Sequence, residues 1–177
     1  MLDDIKEILI TEEEIEKLII KLGGQISIDY AGRNLLLVSV LKGSIVFMAD
    51  LMRAITIHCK IDFMAVSSYG AGTTSGSVKI IKDLDIDLDG YDVLIVEDIL
   101  DSGKTLSYIL ELLKGRHPKS LKICTLFDKP DRRQVDLKAD YTGAEVPDEF
   151  IVGYGLDCDE RYRNLPFVAV LKPHIYS

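Results

Sequence analysis

One run, Leu35-Leu36-Leu37-Val38-Ser39-Val40-Leu41, constrains the fold more than any other feature. It is too short and too evenly apolar for an amphipathic helix, and it suits a strand covered on both faces, as in a parallel sheet. A second such run spans Tyr91 to Val96, and further strand candidates run from Ile61 to Ser68, Leu121 to Phe127, Phe150 to Val152 and Val168 to Leu171. Helical spacing fits Ile45 to Ile55 and Thr105 to Lys114 between them. Strands alternating with helices imply an α/β fold, a mainly parallel central sheet flanked by helices. The length, 177 residues, suits one domain over residues 1–177.

An earlier helix opens at Thr11, where Glu14 completes the spacing of a capping box and Glu12 and Glu13 suit the positive end of the helix dipole. Ile15, Leu18, Ile19, Leu22 and Ile26 then repeat at helical spacing, and Gly23-Gly24 is expected to weaken the helix. The N-terminal stretch is acidic and carries no long apolar run, which argues against a signal peptide or membrane anchor. Net charge is −8, whereas a nucleic-acid partner calls for clustered Lys and Arg. No nucleic-acid or membrane partner is therefore expected. Cys59, Cys124 and Cys158 show neither zinc spacing nor pairing, and read as free thiols in a reducing cytoplasm.

Ligands of parallel sheets bind at the carboxyl ends of the strands. Lys42-Gly43 follows one such end, Glu97-Asp98 closes another and Asp128-Lys129 follows a third. The central motif is Val96-Glu97-Asp98-Ile99-Leu100-Asp101-Ser102-Gly103-Lys104-Thr105: a buried strand, two carboxylates, two apolar residues, then a small-residue turn opening a helix. Such a turn suits a phosphate monoester, because Gly103 permits close backbone approach and free amides at the helix start face the anion. Gly-Lys-Thr also ends the nucleotide-binding pattern GxxxxGK[ST], but Asp98 stands where that pattern needs its first glycine. The stretch from Tyr69 to Ser77, rich in Gly, Ser and Thr, reads as a mobile loop. His58, His117 and His174 are scattered and lack triad-like partners.

The run from Val96 to Thr105 resembles the phosphoribosyl pyrophosphate signature of the type I phosphoribosyltransferases. Leu41-Lys42-Gly43, Ser68-Tyr69, Asp128-Lys129 and the segment from Phe150 to Asp157, with Arg163 beyond, resemble the hypoxanthine-guanine group in the same order along the chain.

The resemblance implies a type I phosphoribosyltransferase fold with a small hood subdomain built from the N- and C-terminal segments. It also implies purine salvage: transfer of the phosphoribosyl group from phosphoribosyl pyrophosphate to N9 of hypoxanthine or guanine, giving IMP or GMP. A xanthine-preferring relative and an RNA-binding regulator on the same fold are the alternatives. Asp101, Ser102, Gly103, Lys104 and Thr105 would hold the 5′-phosphate, with Asp101 also the acid or base at purine N7. Glu97 and Asp98 would hold the ribose hydroxyls and Mg2+. Lys42, Gly43 and Arg163 would meet pyrophosphate, Arg161 being a nearby rival. Lys129, Phe150, Ile151 and Asp157 would line the purine, Asp157 also reaching Mg2+ through water. Ser68 and Tyr69 would begin the closing loop. A cis Leu41-Lys42 peptide and a homodimer or homotetramer complete the expectation.

Overall fold

A computed structural model describes residues 1–68 and 78–176. In chain order its elements are β1 (Ile5–Ile10), α1 (Glu12–Asp29), β2 (Leu35–Leu41), α2 (Ile45–Ala54), β3 (Cys59–Ser68), β4 (Val78–Lys82), β5 (Asp92–Leu100), α3 (Lys104–Lys114), β6 (Ser120–Asp128), β7 (Tyr141–Glu145), β8 (Ile151–Val152) and β9 (Val168–Leu171). Short 3-10 turns cover Leu2–Asp4, Pro130–Arg132 and Pro173–Ile175.

Six strands form the main sheet in the order β4-β3-β2-β5-β6-β7, parallel throughout except for antiparallel β4 at one edge. The apolar runs are explained by what covers each face. Leu35 and Leu37 of β2, with Leu94 and Val96 of β5, pack with α1 and α2. Their alternates Leu36, Val38, Val93 and Ile95 pack on the opposite face with α3. Both sets are buried, so period-two alternation vanishes from the sequence, and each such side chain contributes about 1.5–3 kcal/mol of burial.

The Thr11 capping box forms as expected: the Thr11 hydroxyl accepts from the Glu14 amide, and the Glu14 carboxylate accepts from the Thr11 amide. The expected weakening at Gly23-Gly24 does not occur, and α1 runs unbroken to Asp29. A Cβ on Gly23 would lie 2.6 Å from Ala54 Cβ, so this glycine lets α1 and α2 approach closely. Ser27 reinforces the crossing, its hydroxyl donating to the Gly23 carbonyl oxygen and accepting from the Thr56 amide.

A smaller sheet, β1-β9-β8, joins the two ends of the chain in antiparallel pairing. β5 runs four residues beyond the expected end at Val96, because Ile99 and Leu100 continue pairing with Phe127 and Asp128 of β6. Glu97 and Asp98 therefore sit inside a hydrogen-bonded strand. Among the described residues no helix is long and apolar enough to cross a membrane. The three cysteines are free.

Candidate active site

β2, β5 and β6 are neighbours and parallel, so their carboxyl ends lie side by side. That topology brings Lys42-Gly43, Glu97-Asp98 and Lys129 to one rim of the sheet. Two adjoining clefts open there. The larger, about 600 Å³, is lined by Lys42, Asp98, Asp101, Lys129, Phe150, Ile151, Asp157 and Arg163 among others. The smaller, about 300 Å³, is lined by Glu97, Asp98 and the turn Asp101-Ser102-Gly103 with Thr105. Lys42, Gly43, Asp98 and Asp101 face both.

Glycines set the closeness of this rim. A Cβ on Gly43 would fall 1.9 Å from Asp98 Oδ2, and one on Gly155 would fall 2.1 Å from the Gly43 carbonyl oxygen. Gly103 begins α3 at φ +78°, the left-handed region that glycine adopts without penalty. Gly103 supplies no side-chain cap to α3, and among the described residues only the Lys104 amide there has a side-chain acceptor, the Ser102 hydroxyl at 3.4 Å. The other amides at the helix start suit an anion. Leu41-Lys42 is cis, as expected from the resemblance.

Burial, with the neighbouring Asp98 charge, holds the Glu97 carboxyl well above the usual carboxylate range. Burial raises Asp98 to about 6, partly offset by amide hydrogen bonds and Arg163. Carboxylates pressed upward in this way gain from a cation. Among the described residues no three His, Cys, Asp or Glu side chains converge to hold a metal by themselves. The donor set fits Mg2+ in its usual protein form, where one or two carboxylates share the ion with water and substrate oxygens.

In the larger cleft Lys129 is 6% exposed, and its ammonium donates to the Glu149 carbonyl oxygen at 2.9 Å. Phe150 is exposed at the same wall, and Ile151 is buried beside it. Arg163 pairs with Asp157 at 3.0 Å and donates to the Gly155 carbonyl oxygen. Arg163 lines the cleft; Arg161 faces Asp159 and the Tyr162 ring instead. Two atoms of this region are buried without a hydrogen-bond partner among the described residues: Asp101 Oδ1 and Arg163 Nε. Arg132 Nε stands 3.7 Å from Asp101 Oδ1, too long for a hydrogen bond. Ser68 ends β3, paired with Val78, while Tyr69 and the loop through Ser77 lie outside the described residues. The histidines line neither cleft.

The family model for the phosphoribosyl transferase domain matches residues 3–159. The chain is 55% identical to the hypoxanthine-guanine phosphoribosyltransferase of Bacillus subtilis, over 100% of this chain and 99% of that protein. This chain belongs to the phosphoribosyltransferase family, in the hypoxanthine-guanine group. A hypoxanthine phosphoribosyltransferase structure from Staphylococcus aureus superposes with a TM-score of 0.96 at 54% identity, covering 100% of this chain and 97% of that one. The bifunctional protein TilS/HprT of Listeria monocytogenes is 54% identical over all of this chain, which spans 28% of that longer protein.

In this member of the family three neighbours of the candidate site escape sequence reasoning. Glu160 reaches Lys42 Nζ at 3.1 Å and Arg163 at 3.4 Å, joining two cations expected at pyrophosphate. Tyr176 lines the larger cleft and stacks on Phe150, ring centroids 4.4 Å apart and planes 14° apart. Arg133 lies beneath the turn that opens α3. Glu160 falls three residues from both Asp157 and Arg163, a spacing that offered a signal. Tyr176 and Arg133 gave none, because their contacts depend on tertiary pairing.

Proposed function

We propose that the protein transfers the 5-phosphoribosyl group from phosphoribosyl pyrophosphate to N9 of hypoxanthine or guanine, producing IMP or GMP and pyrophosphate in purine salvage. The observation that carries this reading is Asp101, which lines the same cleft as Lys129 and Phe150 and whose Oδ1 is buried without a hydrogen-bond partner among the described residues. A proton at purine N7 gives that oxygen its partner.

The residues divide the work. The turn from Asp101 to Thr105 binds the 5′-phosphate through amides at the start of α3 and the hydroxyls of Ser102 and Thr105. Glu97 and Asp98 hold the ribose hydroxyls, and with Asp157 they would hold Mg2+, which when bound would supply charge stabilisation to the leaving pyrophosphate. Phe150 stacks on the purine, the Ile151 backbone meets the base edge, and Asp157 faces the same side. Lys129 carries only donors, one directed to Glu149, and its remaining hydrogens suit a 6-oxo group and reject the 6-amino group of adenine. Lys42, Gly43 and the Arg163 fork receive pyrophosphate. Asp101 exchanges the N7 proton as N9 displaces pyrophosphate from the anomeric carbon. Ser68 and Tyr69 begin the loop that closes over the reaction and excludes water.

The whole chain, 1–177, acts as one phosphoribosyltransferase domain, with the β1-β9-β8 sheet as the hood over the purine. The working form is a cytoplasmic homodimer or homotetramer. The decisive experiment supplies phosphoribosyl pyrophosphate and Mg2+ with hypoxanthine, guanine, xanthine or adenine and follows nucleotide formation. Turnover of the first two and not of adenine is expected. Dominant xanthine turnover selects the xanthine-preferring alternative, and no turnover of any 6-oxopurine overturns the proposal. Asp101→Asn is expected to lower kcat by about 10²–10⁴.

A further inference from the structure

Arg133 is partly buried, with 14% side-chain exposure, and lines neither cleft. Its guanidinium nevertheless reaches the backbone of Leu100 and Asp101 and the carboxylate of Asp128, next to Lys129. Nε donates to the Asp101 carbonyl oxygen at 3.0 Å and Nη2 to that of Leu100 at 3.2 Å. Nη2 also pairs with the Asp128 carboxylate, next to Lys129, and Nη1 donates to the Leu137 carbonyl oxygen. Its aliphatic stem supports the phosphate turn from below, since a Cβ on Gly103 would lie 3.1 Å from Arg133 Cδ. The adjacent Arg132 points the other way, into the larger cleft, at 3.4 Å from Asp148.

We propose that Arg133 is a positioning residue that fixes the separation between Asp101 and Lys129, and so sets base recognition. The inference rests on the reading that these two residues address N7 and O6. Those atoms share one edge of the purine, so the two side chains must hold one spacing to meet both. Asp101 follows β5 and Lys129 follows β6. Between the strand ends the Lys129 amide donates to the Leu100 carbonyl oxygen, and the Arg133 fork adds a planar brace spanning both. A guanidinium supplies five donors in a fixed plane. A lysine at this position supplies the charge for Asp128 but cannot reach the carbonyls of Leu100, Asp101 and Leu137 together.

The test is steady-state kinetics and thermal unfolding of Arg133→Lys and Arg133→Met, with Lys129→Ala in parallel. We expect Arg133→Lys to fold, yet to raise the KM for hypoxanthine about tenfold or more and to narrow the preference for 6-oxopurines over adenine. The KM for phosphoribosyl pyrophosphate should change less. A KM is independent of the fraction of active protein, so a role in stability alone would leave it and base preference unmoved. Base KM within twofold of the parent in both Arg133 variants, with only a lowered Tm, overturns the inference. If both variants fail to fold, Asp128→Asn decides: it removes one anchor of the fork, and an unchanged base KM in it overturns the inference as well. If Lys129→Ala leaves base KM and preference unaltered, the underlying assignment of O6 recognition fails instead, a distinguishable result.

Discussion

The Lys129 ammonium donates to the Glu149 carbonyl oxygen, one residue before Phe150. A side chain leaving β6 is thereby tied to the segment entering β8, and donor and aromatic ring share one wall. Lysine carries a flexible four-carbon stem, and in the proposed role at the base, fixing its head in advance would spare that ordering. Lys129→Ala is expected to raise the KM for hypoxanthine about tenfold or more, the size of a charged hydrogen bond of about 1.5–3 kcal/mol. Discrimination against adenine should fall with it. Rates with both bases check this.

Gly43 and Asp98 leave no room for a methyl group between them. Gly43→Ala is expected to displace the Asp98 carboxylate and lower kcat/KM for phosphoribosyl pyrophosphate by about tenfold or more. Most of β2 lies away from this contact, so the protein should remain folded. Circular dichroism with Mg2+-dependent kinetics separates the two effects.

Tyr176 covers one face of Phe150 by stacking. Phe150 keeps 37% exposure despite that cover, which leaves ring surface for a base. Removing the backing ring in Tyr176→Ala is expected to raise the base KM by about two- to tenfold, matching an aromatic pair worth about 0.5–1.5 kcal/mol. Tyr176→Phe should behave as the parent. Equal base KM in all three proteins would contradict the role.

Tyr30 is buried behind β2, and that burial, with Asp140 and Asp92 adding, pushes its phenol up from 10.0 to about 12. Burial likewise raises Tyr141 and Tyr154, whose hydroxyls donate to Asp29 and Asp50. The folded state favours the protonated phenols, so their stabilisation is complete below pH 10 and is lost as pH rises toward 12. The denaturant midpoint should fall across that window, with tyrosinate absorbance appearing alongside unfolding. A midpoint constant to pH 12 would contradict it.

Most of the sheet is legible in sequence because burial on both faces writes itself as unbroken apolar runs. The bounds of β2 follow from that signal alone. β1 is not legible: residues 6–8 are exposed and β9 covers only one edge, so neither alternation nor a run results. β4 and β7, at the two edges of the main sheet, are missed for other reasons: β4 alternates in burial but carries Ile81 on its exposed side and Lys82 on its covered side, and β7 is short and contains Gly143. Acids misled the reading of β5, whose ladder with β6 continues through Glu97. The rim residues were legible because parallel topology dictates where strands end. Arg133, by contrast, earns its place through carbonyl oxygens, which every residue carries and no sequence pattern advertises.

Catalytic geometry held by a hydrogen-bonded ladder inherits the ladder's tolerance for change. Deleting one residue within Ser120–Asp128 would slide Lys129 along β6 by about 3.3 Å and turn alternate side chains to the wrong face. Extra residues between Lys114 and Ser120 would leave that alignment untouched. Length variation should therefore be admitted where the chain turns back beneath the sheet and refused along the strands that reach its rim.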